Sequence, residues 1–451
     1  MHAVAAVALM LVIVSSVETC NDNSGTSFML MFLETMPTNA SMQLLVTNPS
    51  HDTVAMVTLR SPLTDDATYD VQPRDSLVIN APRELRAMGN VISTSGFMLT
   101  SSIDVTVHGF NGDNGACGGF MAIPVDRLGY EYYTLSRFRF DQDDRSEFGV
   151  VATQDNTTVF IQLRFVFEAV GFEYEGVTYR SGTENDELTV TLNAFESIQL
   201  VALPADNGDL SRTRIIADKP VAVFTGNIQT SIDGSSADHM IEQMLPVDAA
   251  GRVFNLIELS GREMERFTVL AIESGTTFTR GRDANEISLP INIGDLVLDS
   301  STQIRATGDL FVVRHSVGEN DNSVYLRGEP ALLSVTPEAR YKNVHSFRVP
   351  TSDSVDYAVQ LIIATGDVTL AQLATIFVDD SNIELSEWNT VEALQGNRYG
   401  TTMHVDPGFH RVYSTDPNVK LSVSVYGYVD QGCAFAYPAG MCLDYEPMVS
   451  A

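Results

Sequence analysis

The segment SSADHMIEQMLPV carries Asp238, His239 and Glu242, three side chains able to do chemistry. On a helix, His239 and Glu242 would sit at i, i+3 on one face, where an imidazole and a carboxylate can share a metal ion. The zinc-protease pattern of two histidines around a glutamate is missing, and Met244–Val247 reads as a strand. A structural role is therefore expected for all three. The stretch FDQDDRSEF offers Asp141, Asp143, Asp144 and Glu147. Alternate carboxylates with intervening carbonyls can hold Ca²⁺. The spacing of a twelve-residue calcium loop is not met, so a solvated acidic turn is expected and calcium stays a weak alternative. GFNGDNGACGG and GENDNS are read the same way. Neither a Gly-x-Ser-x-Gly elbow nor a phosphate-cradling glycine loop occurs. The expectation is a protein with no catalytic residues and no cofactor.

The elements that carry these residues belong to a chain of 451 residues with a formal net charge of −31. That balance argues against nucleic acid and anionic membrane surfaces, which select an excess of Lys and Arg. The opening MHAVAAVALMLVIVSSVETC has an apolar run from Ala3 to Val14 followed by small residues. It is shorter than the ~20 residues a bilayer span needs and reads as a secretory signal over residues 1–19, cut between Ser16 and Cys20. No other stretch approaches membrane length. A secreted, extracellular chain is expected.

The chain has four cysteines, Cys20, Cys117, Cys433 and Cys442. In an oxidising compartment they form disulfides, and three pairings are open. Pro-Ala-Gly lies between Cys433 and Cys442 and can turn the chain back. The expected pairs are therefore Cys433–Cys442 and Cys20–Cys117. Two sequons, at Asn39 and Asn156, sit in turn-like contexts and are expected to be glycosylated.

The stretch IIADKPVAVFTGN, Ile215 to Asn227, has relatives along the chain. They are STQIRATGDLFVVRHSVG from Ser301, RVYSTDPNVKLSVSVYGY from Arg411 and, more loosely, NVISTSGFMLTSSIDVTVHGFNG from Asn90. Each reads as a polar strand, a turn and an alternating apolar strand. Upstream of each, LLVTNPSHDTVAMVTL, GVVATQDNTTVFIQL, TVLAIESGTTFTRG and LIIATGDVTLAQL read as β-hairpins. Glycine opens three of the units, and an apolar strand closing at proline ends them. Four β repeats follow, over 25–128, 129–250, 251–338 and 339–445. Their strand content predicts an all-β protein of tandem antiparallel β-sandwich-like units, with a closed propeller-like ring as the alternative. Only Asp379 to Asn397 shows helical periodicity. Proline at the entry of Val221–Phe224 marks a structural corner, since it has no N–H to give a ladder.

Four motifs in order, VDRLGYEYYTL, IIADKPVAVFTGN, DHMIEQMLPVDAAGRVF and YGYVDQGCAFAYPAGM, resemble the amino-terminal domain of the IgG Fc-binding protein family. The resemblance runs from about residue 120 to 442 and more weakly from Gly25. It implies binding or adhesion outside the cell, to an extracellular glycoprotein, a mucus component or a microbial surface. It supplies no residue-level binding motif. The competing expectation is a self-associating component of an extracellular matrix or surface coat.

Overall fold

The computed structural model describes residues 20–444, apart from 37, 113–115, 138–143, 165–169, 205–208, 233–235, 260–264, 290–291, 299, 318–328, 352–356 and 430–432. The expected signal segment, residues 1–19, thus lies outside the described residues. The described structure is all-β, with one four-residue α-helix, Leu370–Leu373, and short 3-10 turns. No helix is long and apolar enough to cross a membrane among the described residues. The helical periodicity of Asp379 to Asn397 gives no α-helix; a 3-10 turn, Leu385–Glu387, and two-residue strands occupy it. Asp379 takes φ 54°, outside the helical region, which ends the preceding strand in a tight turn.

One strand plan recurs four times, in antiparallel sheets. In the first, the 16-residue strand Phe97–Gly112 runs through both layers. Its first half pairs with Ala55–Ser61 and its second half with Ser41–Asn48. Thr302–His315 does the same for Thr277–Arg280 and Glu265–Ala271. In the other two the role is split: Arg214–Ala217 and Val221–Ser231, then Gly408–Ser414 and Leu421–Val429. The predicted turn thus exists only where Pro220 and Pro417 interrupt the ladder. Without proline the strand bends and continues, with a register shift opposite the bend between Gly25 and Ser27, and between Gly251 and Val253.

The predicted hairpins are corners between layers. Ser146–Ala152 pairs with Ser197–Val201 and Val221–Ser231, whereas Thr157–Gln162 pairs with Glu187–Leu192 and Arg214–Ala217. The two never pair with each other. Turn residues at 153–156 carry the chain across the roughly 10 Å that separates packed sheets. In the last corner, Thr369 and Gln372 form a capping box that starts the short helix.

Each plan ends in a buried closing strand: Gly118–Met121, Ala237–Gln243, Leu332–Ser334 and Cys433–Gly440. These four meet in a cycle, first against second, second against third, third against fourth, and fourth against first. After the first three comes a proline that seats on the opening glycine of the same unit. A Cβ on Gly25, Gly129 or Gly251 would lie 2.7, 2.4 and 2.4 Å from the Cβ of Pro124, Pro246 and Pro337. The glycines are there for close approach, which is why both residues recur in the sequence.

The disulfides are Cys20–Cys442 and Cys117–Cys433, so both expected pairings are wrong. Cys433 and Cys442 cannot meet, because Pro438 does not turn the chain. It sits inside the strand Cys433–Gly440, paired with Ser424. That strand alone spans roughly 23 Å at about 3.3 Å per residue. Asp22 instead bridges to Cys442, and the Leu443 amide donates to Asn21 at 2.7 Å, bringing the two ends of the described chain together.

Val221–Phe224 pairs with Gly149–Ala152, Phe224 pairs with Gln243 on the other edge, and all four residues are buried. The Phe224 ring meets Phe120 of the first closing strand edge-on at 5.1 Å. Phe224→Ala should cost about 3–5 kcal/mol through lost burial and a cavity. Lys219 only donates to the exposed carbonyls of Asp155 and Asn156, and Lys219→Ala should stay within about 0.5 kcal/mol. Melting of the two variants checks both figures. A Phe224→Ala chain that melts like the parent would remove this strand from the core.

Candidate functional site

Asp238, His239 and Glu242 lie on a strand, and all three are buried. The structure does bring them to one place, the centre of the four closing strands, where they hold backbone. Asp238 Oδ1 accepts the Cys117 and His239 amides at 2.9 and 2.7 Å, and its Oδ2 accepts the Ala434 amide at 2.9 Å. One carboxyl thus grips the first and fourth closing strands beside the Cys117–Cys433 disulfide. Glu242 Oε2 accepts the Ser334 amide of the third at 2.8 Å. Gln243 Oε1 accepts the Ile123 amide, just past the first, at 3.1 Å. The polar side chains of one strand therefore fasten the other three. Gln243 was not singled out in the sequence, where nothing separates it from a surface glutamine.

Burial dominates the electrostatics here. It pushes the Glu242 carboxyl up to about 8, against the amides that favour its charged form. It also raises Asp238, helped by the charge of Glu329. His239 donates Nδ1–H to the Asn227 carbonyl at 2.9 Å, with Glu147 Oε1 3.9 Å away. Burial lowers His239 to about 3 and raises Glu147 well above its usual range. The pair is therefore a neutral acid beside a neutral imidazole. Both are sealed from solvent, so neither can meet a substrate.

Of the acidic stretch, Asp141 and Asp143 lie outside the described residues. Asp144 is buried and accepts the Ser231 amide, and Glu147 is inside the strand Ser146–Ala152. Residues 318–323 and 113–115 are likewise outside the described residues. No group of three or more His, Cys, Asp or Glu able to hold a metal ion occurs among the described residues. Asn39 and Asn156 are exposed. Asn156 takes φ 53° at a corner tip.

The open concavities are elsewhere. A groove of about 530 Å³ is lined by Glu258, Ser301, Glu387, Asn389, Glu392 and Thr401 among others. Another, of about 630 Å³, includes Asn21, Asp22, Ser24, Asp104, Asp126 and Arg127. Both are polar and acidic, suited to hydroxyl-rich or cationic groups rather than apolar ligands.

Residues 118–427 match the IgGFc binding protein family. This chain belongs to that family. The human IgGFc-binding protein is 23% identical over 255 residues, covering 56% of this chain and 4% of the human protein. The chain thus matches a small part of that relative's length. A solved structure, the tetra-tandem repeat in the extending region of a large adhesion protein, aligns over 92% of this chain and 96% of its own. It does so at 12% identity and a TM-score of 0.09, which carries no argument. The matched region of the family covers three of the four closing strands and ends before the last, Cys433–Gly440.

Proposed function

We propose that this chain is a secreted, non-enzymatic binding module that takes an extracellular protein or glycoprotein as its partner. Membership of the IgGFc binding protein family carries the reading. It is supported by a chain in which Asp238, His239 and Glu242 are consumed in holding backbone, and Glu147 is sealed from solvent. Loops and acidic grooves are left for contact. The relative's name specifies the Fc region of IgG. For this chain the partner is defined only as extracellular, with Fc as one probe among several.

The mature chain, immobilised and exposed to extracellular fluid or mucus, should retain a discrete set of glycoproteins identified by mass spectrometry. Light scattering should show a mass that does not change with concentration. Concentration-dependent assembly with nothing retained would replace this reading with a self-associating coat component.

Secretion also makes a covalent prediction. Asn156 stands exposed at a corner tip, where the transferase reaches it, and Thr158 is exposed beside it. Peptide mapping of chain secreted from eukaryotic cells should find Asn156 glycosylated. An unmodified Asn156 peptide would mean the tip is covered by another surface.

A further inference from the structure

Lys342 and Asn23 are 319 residues apart in sequence and in direct contact in the fold. Lys342 Nζ donates to Asn23 Oδ1 at 3.0 Å and to Asp22 Oδ2 at 2.6 Å. Asn23 is fully buried, and the Lys342 side chain is 5% exposed. The same amine thus touches a buried amide carbonyl and a carboxylate that reaches the adjoining groove. Such an arrangement of amine, carboxamide and acid supports amide exchange, in which a lysine nucleophile displaces ammonia with a carboxyl moving the protons.

Two further features fit. Asn23 Nδ2 is buried and has no hydrogen-bond partner. That nitrogen is the leaving group, and its departure would remove an unsatisfied buried donor. Gly440, at φ 144°, is seated against the pair: a Cβ there would fall 2.3 Å from Asn23 Oδ1 and 2.8 Å from Lys342 Nζ. A side chain at 440 would push the amine and the amide apart.

We propose that Lys342 and Asn23 form an intramolecular isopeptide bond, with Asp22 as the acid–base catalyst. The ammonium of Lys342 passes a proton to Asp22, and the free amine attacks Asn23 Cγ. The new Nζ–Cγ bond forms as the Cγ–Nδ2 bond breaks. The amine's surplus proton moves to Nδ2 through the carboxyl, and ammonia leaves. The proton held on Asp22 follows it, giving ammonium and restoring the carboxylate. Nothing is oxidised or reduced, and no co-reactant is needed.

In the resting site the Asp22 carboxyl is ionised. Burial alone would raise Asp22, but Lys342 beside it brings it down to about 2. The reactive neutral pair is therefore the minor form and the reaction is slow. One turnover in the life of the chain suffices, and the buried contact holds the reactants together while it waits. The bond would tie the segment already held by Cys20–Cys442 to a neighbouring stretch as well, since the Cys442 amide donates to Arg340, and by a link that reductants cannot open.

The test is the intact mass of the mature chain, purified from a eukaryotic secretion host, reduced and denatured. With N-glycans removed enzymatically and each carrier Asn counted as Asp, the expected mass is lower than that of the mature sequence by one ammonia. Digestion should yield a branched peptide joining Asn23 to Lys342. Lys342→Arg should restore the full mass. Asp22→Ala, with the segment still held by Cys20–Cys442, should restore it or leave a mixture that closes slowly. Separate linear peptides carrying unmodified Asn23 and Lys342 from the parent chain would overturn the proposal. A deficit that persists in Lys342→Arg would overturn it too, since that marks a succinimide at Asn23–Ser24.

Discussion

Asp238→Ala should be among the most damaging single changes in the chain, costing on the order of 5 kcal/mol. The carboxyl accepts three buried amides, from Cys117, His239 and Ala434. Each donor left without a partner costs about 1–3 kcal/mol. Two of them belong to closing strands joined by the Cys117–Cys433 disulfide. Asp238→Asn keeps the shape but turns an NH₂ toward one of these amides, so it should recover only part of the loss. Melting temperature and secreted yield are the readouts. Asp238→Ala melting within a degree or two of the parent would mean that the centre of the molecule is held by packing alone.

Stability should peak on the acid side of neutrality and fall on both flanks. Glu242 has a folded value of about 8, above its ordinary 4.5. Its contribution is complete below pH 4.5 and is lost as pH rises through 8, because the folded state must then ionise a buried acid. Between pH 6.5 and 8 that loss is about 2 kcal/mol from Glu242 alone. Glu147 and Asp238, raised chiefly by burial, act with the same sign. His108, His239, His315 and His345 oppose them, since burial lowers each to about 3. Their contribution is present above pH 6.5 and is lost as pH falls toward 3. From 6.5 to about 4.5 four histidines act against three acids, so stability falls gently as pH drops. Below 4.5 the unfolded carboxyls are protonated as well, and the four histidines bring the fold down. A melting profile from pH 3.5 to 8.5 checks the shape, and Glu242→Gln should flatten its alkaline limb. A profile level from pH 5 to 8.5 would show that these acids are ionised within the fold.

Much of the local structure was legible in the sequence. Alternating apolar residues marked the strands, as in Ala55–Ser61, because a sheet face imposes a period of two whatever its partner. Proline before Val221 marked a true break for the same local reason. The recurrence of glycine at 25, 129 and 251 and of proline at 124, 246 and 337 was visible too. Their mutual contact was not, because a sequence shows what recurs and not what touches. The corner loops were read as hairpins because turn residues report only that the chain changes direction. Whether it returns along the same sheet or crosses to the other is decided by which strands are free to pair.

The same limit explains the cysteines and the centre. Pairing by proximity in sequence joined Cys433 to Cys442 across a segment that the fold keeps extended. The real pairs join residues 422 and 316 positions apart. Asp238, His239 and Glu242 were recognisable as chemically able and were expected to be structural. Their role as acceptors for three other strands became visible only once the strands had met. By itself the sequence determined the strands, the repeat and the family, all of which follow from short-range pattern. The tertiary structure alone decided the disulfide partners, the buried carboxyls and the meeting of Lys342 with Asn23. Those depend on contacts between distant segments, which exist only when the first closing strand comes to rest against the last.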